Sequence, residues 1–178
     1  MPARSTDSGY GLVARLIHWT SALMILTLAT LGFIAADAGD ATTKAQLLKV
    51  HVPLGIATLA LTIIRIGWWC VADNKPPSVP MPVWQDRVAR AVHVLFYIAV
   101  LSMAASGIGM MVLSDAATAL FGTSGAPLPD FTAYAPRIPH GIGARVLLVL
   151  FVLHASAALY HHFFMKDKLL KRMWRGRT

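Results

Sequence analysis

The amino-acid sequence predicts an all-α integral membrane protein, a four-helix bundle with both termini in the cytoplasm. Three observations lead there. Of the 178 residues, 56% are hydrophobic and only 13% charged, whereas a typical soluble domain carries about 25% charged residues. The apolar residues collect into four blocks, 12–36, 47–71, 88–113 and 142–164, each near or above the roughly 20 residues that cross a bilayer as a helix. The cations, finally, gather on one side of those blocks.

Residues 1–11 read as a short polar lead. The first block follows Arg4 and Arg15 as a signal sequence would, but it is too long for a signal core and no small-residue cleavage site closes a short one, so it is expected to stay as a span. A brief external connection at 37–44 leads to the second block. Segment 73–86 holds Pro76, Pro77, Pro80 and Pro82, which prevent continued helix and make it the internal loop. After the third block, the longest connection, 114–139, contains Gly122, Gly125, Pro127, Pro129, Pro136 and Pro139. It is a lid over the external face or a plain connector. The tail 166–178 reads as a basic helical extension on the anionic inner leaflet. The blocks lack the regular alternation of barrel strands, and without repeats or low-complexity stretches the chain, 1–178, reads as one transmembrane domain.

Net charge is +8, from 16 Lys and Arg against eight Asp and no Glu. In a soluble protein that would raise nucleic-acid binding; its placement explains it better. With the N-terminus inside, Arg4, Arg15, Arg65, Lys75, Arg87, Arg90, Lys166, Lys168, Lys171, Arg172, Arg175 and Arg177 all fall on the cytoplasmic side, and only Lys44, Lys49 and Arg137 outside. Arg145 is the exception, about one turn inside the fourth span. No nucleic-acid partner is expected; the lipid bilayer is.

All seven histidines lie in or beside the spans: His18, His51 and His93 in the first three, and His140, His154, His161 and His162 along the fourth. Ionisable residues are costly in a membrane and mark function, although any single one can be a packing histidine bonded to a carbonyl. Depth gives the set its meaning. His140 and His154 are 14 residues apart, about 21 Å along a helix at 1.5 Å per residue and about 40° short of four full turns, so both rings leave one face. His51 starts the second span level with His140, and His18 lies level with His154. Two stacked pairs result, His51 with His140 and His18 with His154, each suited to grip a haem iron from both sides. His93 lies at the inner level and competes for that haem, or contacts a propionate or a quinone. Gly55, Gly141 and Gly143 leave room for a flat macrocycle or for plain helix packing. The lone Cys70 excludes an internal disulfide and a cysteine-held cluster. A histidine-lined metal transporter is the non-redox alternative, but the spans lack the carboxylates that would balance a cation's charge.

The stretches Arg15-Leu-Ile-His18-Trp19, His51-Val-Pro-Leu-Gly55, His93-Val-Leu-Phe-Tyr97 and the run His140 to His162, ending Ala157-Ala-Leu-Tyr160-His161-His162, resemble the bacterial cytochrome b561 family, within the wider group of dihaem cytochrome b subunits of hydrogenases and formate dehydrogenases. The resemblance covers nearly the whole chain. It implies two haem b groups, ligated by His18 and His154 near the inside and His51 and His140 near the outside, in a multi-pass protein of the bacterial inner membrane. Small four-helix members look like superoxide oxidases, which pass electrons from superoxide at the periplasmic face to ubiquinone near the cytoplasmic face. On that reading Lys49, Arg137 and Arg145 attract superoxide, Arg145 also being suited to a propionate, while His161, Lys166 and Trp19 are quinone-site candidates. Trp19 and Lys166 equally suit ordinary interfacial anchoring. The alternative is an electron-transfer subunit between a partner dehydrogenase and the quinone pool; a protein partner is possible on this reading but not required.

Overall fold

Proline and aspartate set where the long helices begin. In the computed structural model, which describes residues 2–123, 125–167 and 169–175, the Asp40 carboxylate accepts the Thr43 amide at 2.8 Å, filling one of the unpaired donors at a helix start. Its pKa is held below the ordinary value by that bond. Pro82 offers its carbonyl to the amides of Gln85 and Asp86, and Pro136 offers its own to His140. The elements in order are α1 (Leu12–Asp37), α2 (Ala41–Gly67), α3 (Val83–Leu113), α4 (Ala116–Phe121), α5 (Arg137–Tyr160) and α6 (Leu169–Trp174). π-helical turns extend α2 over Trp68–Ala72 and α5 over His161–Met165, and a 3-10 turn covers Phe131–Ala133. No β-strand occurs among the described residues; an isolated bridge pairs Thr6 with Gly9.

α2, α3 and α5 each begin five or six residues before the apolar blocks that signalled them. The polar residues added, such as Lys44, Arg87 and Arg137, tolerate helix well, and hydropathy registers only the stretch that suits lipid. Pro139 fits because the first helical turn has no use for its missing N–H. Among the described residues four helices, counting the π turns, are long and apolar enough to cross a membrane, and only 6–11% of their most apolar stretches is buried. Leu23, Ile63, Val112 and Val149 point outward, which a chain in water would not tolerate over so large an area. The buried positions are mostly small: Ala14, Ala35, Ala99 and Ala116, with Ser21, Thr58 and Thr62. Small side chains let helix backbones approach closely in lipid. Ser21 and Thr58 donate to carbonyls one turn back, at 2.7 and 2.8 Å, so these buried hydroxyls stay bonded.

The chain forms two compact units, each taking a segment of all four long helices. One comprises Met1–Ala22, Leu61–Tyr97 and Val149–Thr178; the other comprises Leu23–Ala60 and Ile98–Leu148. In the first, the lead is more than a polar tail. The buried Asp73 carboxylate accepts the amide and hydroxyl of Ser5 and the Trp68 indole N–H. Arg172 of α6, 6% exposed, donates to the carbonyls of Pro77 and Asp7. α6 is helical as expected, but this arginine turns inward rather than to a lipid surface. Lys168 and residues 176–178 of the expected tail lie outside the described residues. In the second unit, α4 plugs the long connection with Leu120, 2% exposed.

Candidate functional site

A histidine in an apolar span must satisfy two ring nitrogens, and the chain disposes its histidines in facing pairs. In the second unit the rings of His51 (α2) and His140 (α5) have centres 6.2 Å apart with planes inclined at 64°. In the first unit those of His18 (α1) and His154 (α5) are 6.3 Å apart and inclined at 57°. A metal held between two imidazoles, at about 2.0–2.1 Å from each nitrogen and with the ring centre about 1.1 Å further back, needs ring centres about 6.3 Å apart. Both pairs meet that spacing. His93 lies closer, with its ring centre 5.3 Å from that of His154, too near for an ion on the line between them.

The surroundings of the His51–His140 pair follow from small residues on the neighbouring helices. Gly32 of α1 brings its backbone so close that a Cβ there would sit 3.1 Å from His51 Cε1, and a Cβ at Gly107 of α3 would sit 3.3 Å from His140 Cε1. Each ring therefore turns its Cε1–Nδ1 edge to a bare stretch of helix. His140 Nδ1 is 3.0 Å from the Ser106 hydroxyl. Among the described residues His51 Nδ1 is buried with no partner at hydrogen-bonding distance and angle, and the Leu28 carbonyl of α1 is the backbone group that acts on the ring. Gly55, expected to leave room for a macrocycle, has nothing within 4 Å of its would-be Cβ, and at Gly143 that position is 2.6 Å from Met103 Sδ. Two guanidinium groups meet one residue beyond His140: Arg145 donates to the Gly141 carbonyl at 2.8 Å, and Arg137 Nη1 lies 2.8 Å from where a Gly141 Cβ would be. Neither has a carboxylate in ion-pair range among the described residues. Lys49 stands apart from them in sequence, exposed on α2 two residues before His51.

Around His18 and His154 the neighbours are aromatic and cationic. Trp19 lies edge-on to His18 at 5.3 Å and Phe96 edge-on to His154 at 5.6 Å. Arg65 of α2 packs over the Tyr97 ring at 5.8 Å, acts electrostatically on His18, His93 and His154, and has no carboxylate in ion-pair range among the described residues. Sequence reasoning counted Arg65 only among the inner-side cations, because its nearness to these rings depends on which faces of α2 and α3 meet. The quinone-site candidates separate. Trp19 spends its one N–H on the Met173 carbonyl at 3.1 Å and packs against Trp174. His161 pairs through Nδ1 with Asp167, whose other oxygen accepts the Leu169 amide. Lys166 is exposed in left-handed backbone at φ 54°.

An orphaned ring nitrogen, two bare glycine faces and two facing imidazole pairs at a metal-bridging distance fit haem. Among the described residues, no three of His, Cys, Asp and Glu converge as a multidentate ion site would need. Comparison with known proteins agrees with haem: the profile of the prokaryotic cytochrome b561 family matches residues 9–176. The chain belongs to that family. It is 30% identical to cytochrome b561 homolog 2 of Escherichia coli K12, over 97% of this chain and 95% of that protein. Identity to cytochrome b562 of Cereibacter sphaeroides is also 30%, over 96% and 98% of the two chains. Cytochrome b561 homolog 1 of E. coli K12 is 27% identical over 88% and 92%. Membership makes this a membrane b-type cytochrome, an electron-transfer protein that carries haem b.

Proposed function

We propose that the chain holds two haem b groups, one between His18 and His154 and one between His51 and His140, and acts as a superoxide:ubiquinone oxidoreductase of the bacterial inner membrane with both termini in the cytoplasm. The observation that carries the reading is the pair of ring separations, 6.3 and 6.2 Å, against the 5.3 Å of His93 and His154. His93 is then a neighbour of the inner group rather than its ligand. When bound, the haems supply one-electron redox chemistry, their potentials set by axial ligands, nearby hydrogen bonds and exposure.

The side chains account for the rest. Arg137 and Arg145, crowded together without a carboxylate counter-ion among the described residues, attract the superoxide anion and concentrate it beside the outer pair; Lys49 adds to the field. Arg145 and Arg65 also suit haem propionates, for which a guanidinium offers a paired-donor fork. Two superoxide ions release two oxygen molecules and two electrons, and a quinone takes both electrons and two protons to become quinol. His161, backed by the Asp167 carboxylate, is the group that passes a proton to a quinone oxygen, with Lys166 as a second donor and the Trp19 ring as a packing wall. The runner-up is an electron-transfer subunit fed by a separate dehydrogenase.

The test is an absorption spectrum with a haem assay on detergent-purified protein, then superoxide addition with and without ubiquinone. Two haems per chain, reduced by superoxide alone and reoxidised by quinone, is the expected result. Two haems inert to superoxide would overturn the superoxide reading in favour of the partner-fed subunit, and a colourless protein would sink both.

A further inference from the structure

The two members of the outer pair are supported differently, and the difference assigns a role to a residue not yet used. The Ser106 hydroxyl lies 3.0 Å from His140 Nδ1 and 3.0 Å from the Met103 carbonyl of its own helix. A carbonyl can only accept, and the Met103 carbonyl also acts directly on the His140 ring, so a ring Nδ1–H that gives to these oxygens, with the hydroxyl proton directed to Met103, is the arrangement that satisfies the cluster. Toward His140 the Ser106 oxygen is therefore an acceptor, and the proton between them sits on the ring nitrogen. That fixes the Nδ1–H tautomer and leaves Nε2 with its lone pair free. Gly107, the next residue, adds the second constraint, holding the ring against the backbone of α3. His51 has no such hydroxyl: the Leu28 carbonyl is the group that acts on its ring, and among the described residues its Nδ1 has no partner at hydrogen-bonding distance and angle.

We propose that Ser106 is a positioning residue for the outer redox centre: with Met103 and Gly107 it fixes the tautomer and plane of His140 and sets the donor strength of Nε2. The inference rests on the reading of His140 as a haem ligand. An N–H that donates to a good acceptor makes the opposite nitrogen more basic, and a more basic ligand favours ferric over ferrous iron. Ser106 therefore holds the outer midpoint potential down.

The test is a redox titration of purified Ser106→Ala and Ser106→Thr, following the two haems separately by optical and low-temperature EPR spectra, with His140→Ala alongside. In Ser106→Ala the outer potential rises and its low-spin EPR signal broadens as the ring gains freedom, the inner haem is unmoved, and Ser106→Thr, which keeps the hydroxyl, returns both signals to the native values. Loss of the outer haem in Ser106→Ala with retention in Ser106→Thr supports the same role. A native potential and spectrum in Ser106→Ala, or equal changes in both variants, overturns it. His140→Ala separates the premises: if it keeps both haems the ligand reading has failed, whereas if it loses one while Ser106→Ala is native, only the role of Ser106 has failed.

Discussion

If His51 and His140 hold the outer haem as proposed, a methyl group added at Gly32 should empty that site, and the structure says by what displacement. A Cβ at that position lies 3.1 Å from His51 Cε1 and 3.5 Å from Nδ1. Ordinary carbon contacts begin at about 3.5 Å, so the ring must retreat by roughly 0.4 Å or more. Metal–ligand distances tolerate only about ±0.2 Å. Displacing a ligand's support in this way typically costs about 10–100-fold in metal affinity. The loss would occur although Gly to Ala in a helix interior gains about 1 kcal/mol of helix propensity, which removes poor helix formation as its explanation. Gly107→Ala, with 3.3 Å to His140 Cε1, should do the same more weakly. The assay is haem per chain by pyridine haemochrome after extended washing in detergent. If Gly32→Ala retains two haems as firmly as the native chain, His51 does not bind iron from the position described.

Other consequences are as direct. Arg65→Met should lower the midpoint potential of the inner haem, because it removes a cation that favours the reduced, less positive iron; a redox titration in which neither haem moves would refute a role for Arg65 there. The double variant Arg137→Gln with Arg145→Gln should slow haem reduction by superoxide and flatten its dependence on ionic strength, since the native rate draws on an exposed positive field that salt screens; stopped-flow rates at two salt concentrations decide it. Asp167→Asn should leave reduction by superoxide at the native rate while slowing reoxidation by ubiquinone, and equal slowing of both would point to general damage. Arg172→Ala should cost about 2–3 kcal/mol, as for hydrogen bonds from a buried charged group, seen as a lower thermal midpoint of the Soret band.

Much of this was legible in sequence because a membrane span imposes a strict ruler. Helix rise turned residue number into depth, and depth alone matched His51 to His140 and His18 to His154, pairs whose rings do face each other. What depth cannot supply is azimuth. Ser106 and Gly107 bear on His140 only through the face that α3 turns to α5, and Gly32 bears on His51 only through the face α1 turns to α2. Gly55, expected to leave room, has nothing within 4 Å of where a Cβ would stand, but depth alone does not say what that room faces. The starts of α2, α3 and α5 were missed for a related reason: hydropathy marks the lipid, whereas Asp40, Pro82 and Pro136 mark the helix. The seat of Arg172 was invisible because a basic tail in sequence looks alike whether it lies on lipid or tucks under two backbone carbonyls.

Each facing histidine pair takes one member from α5, the last span to be made. During synthesis His18 and His51 enter the membrane first and wait without their counterparts. On the proposed ligation, a nascent chain of three spans has neither pair complete, but His93 of α3 already stands beside His18 at the inner level, so it is haem capture at the outer level that must await the fourth span. A chain stopped at residue 136 should lack the outer haem, and supplying the remaining segment as a separate polypeptide should restore it.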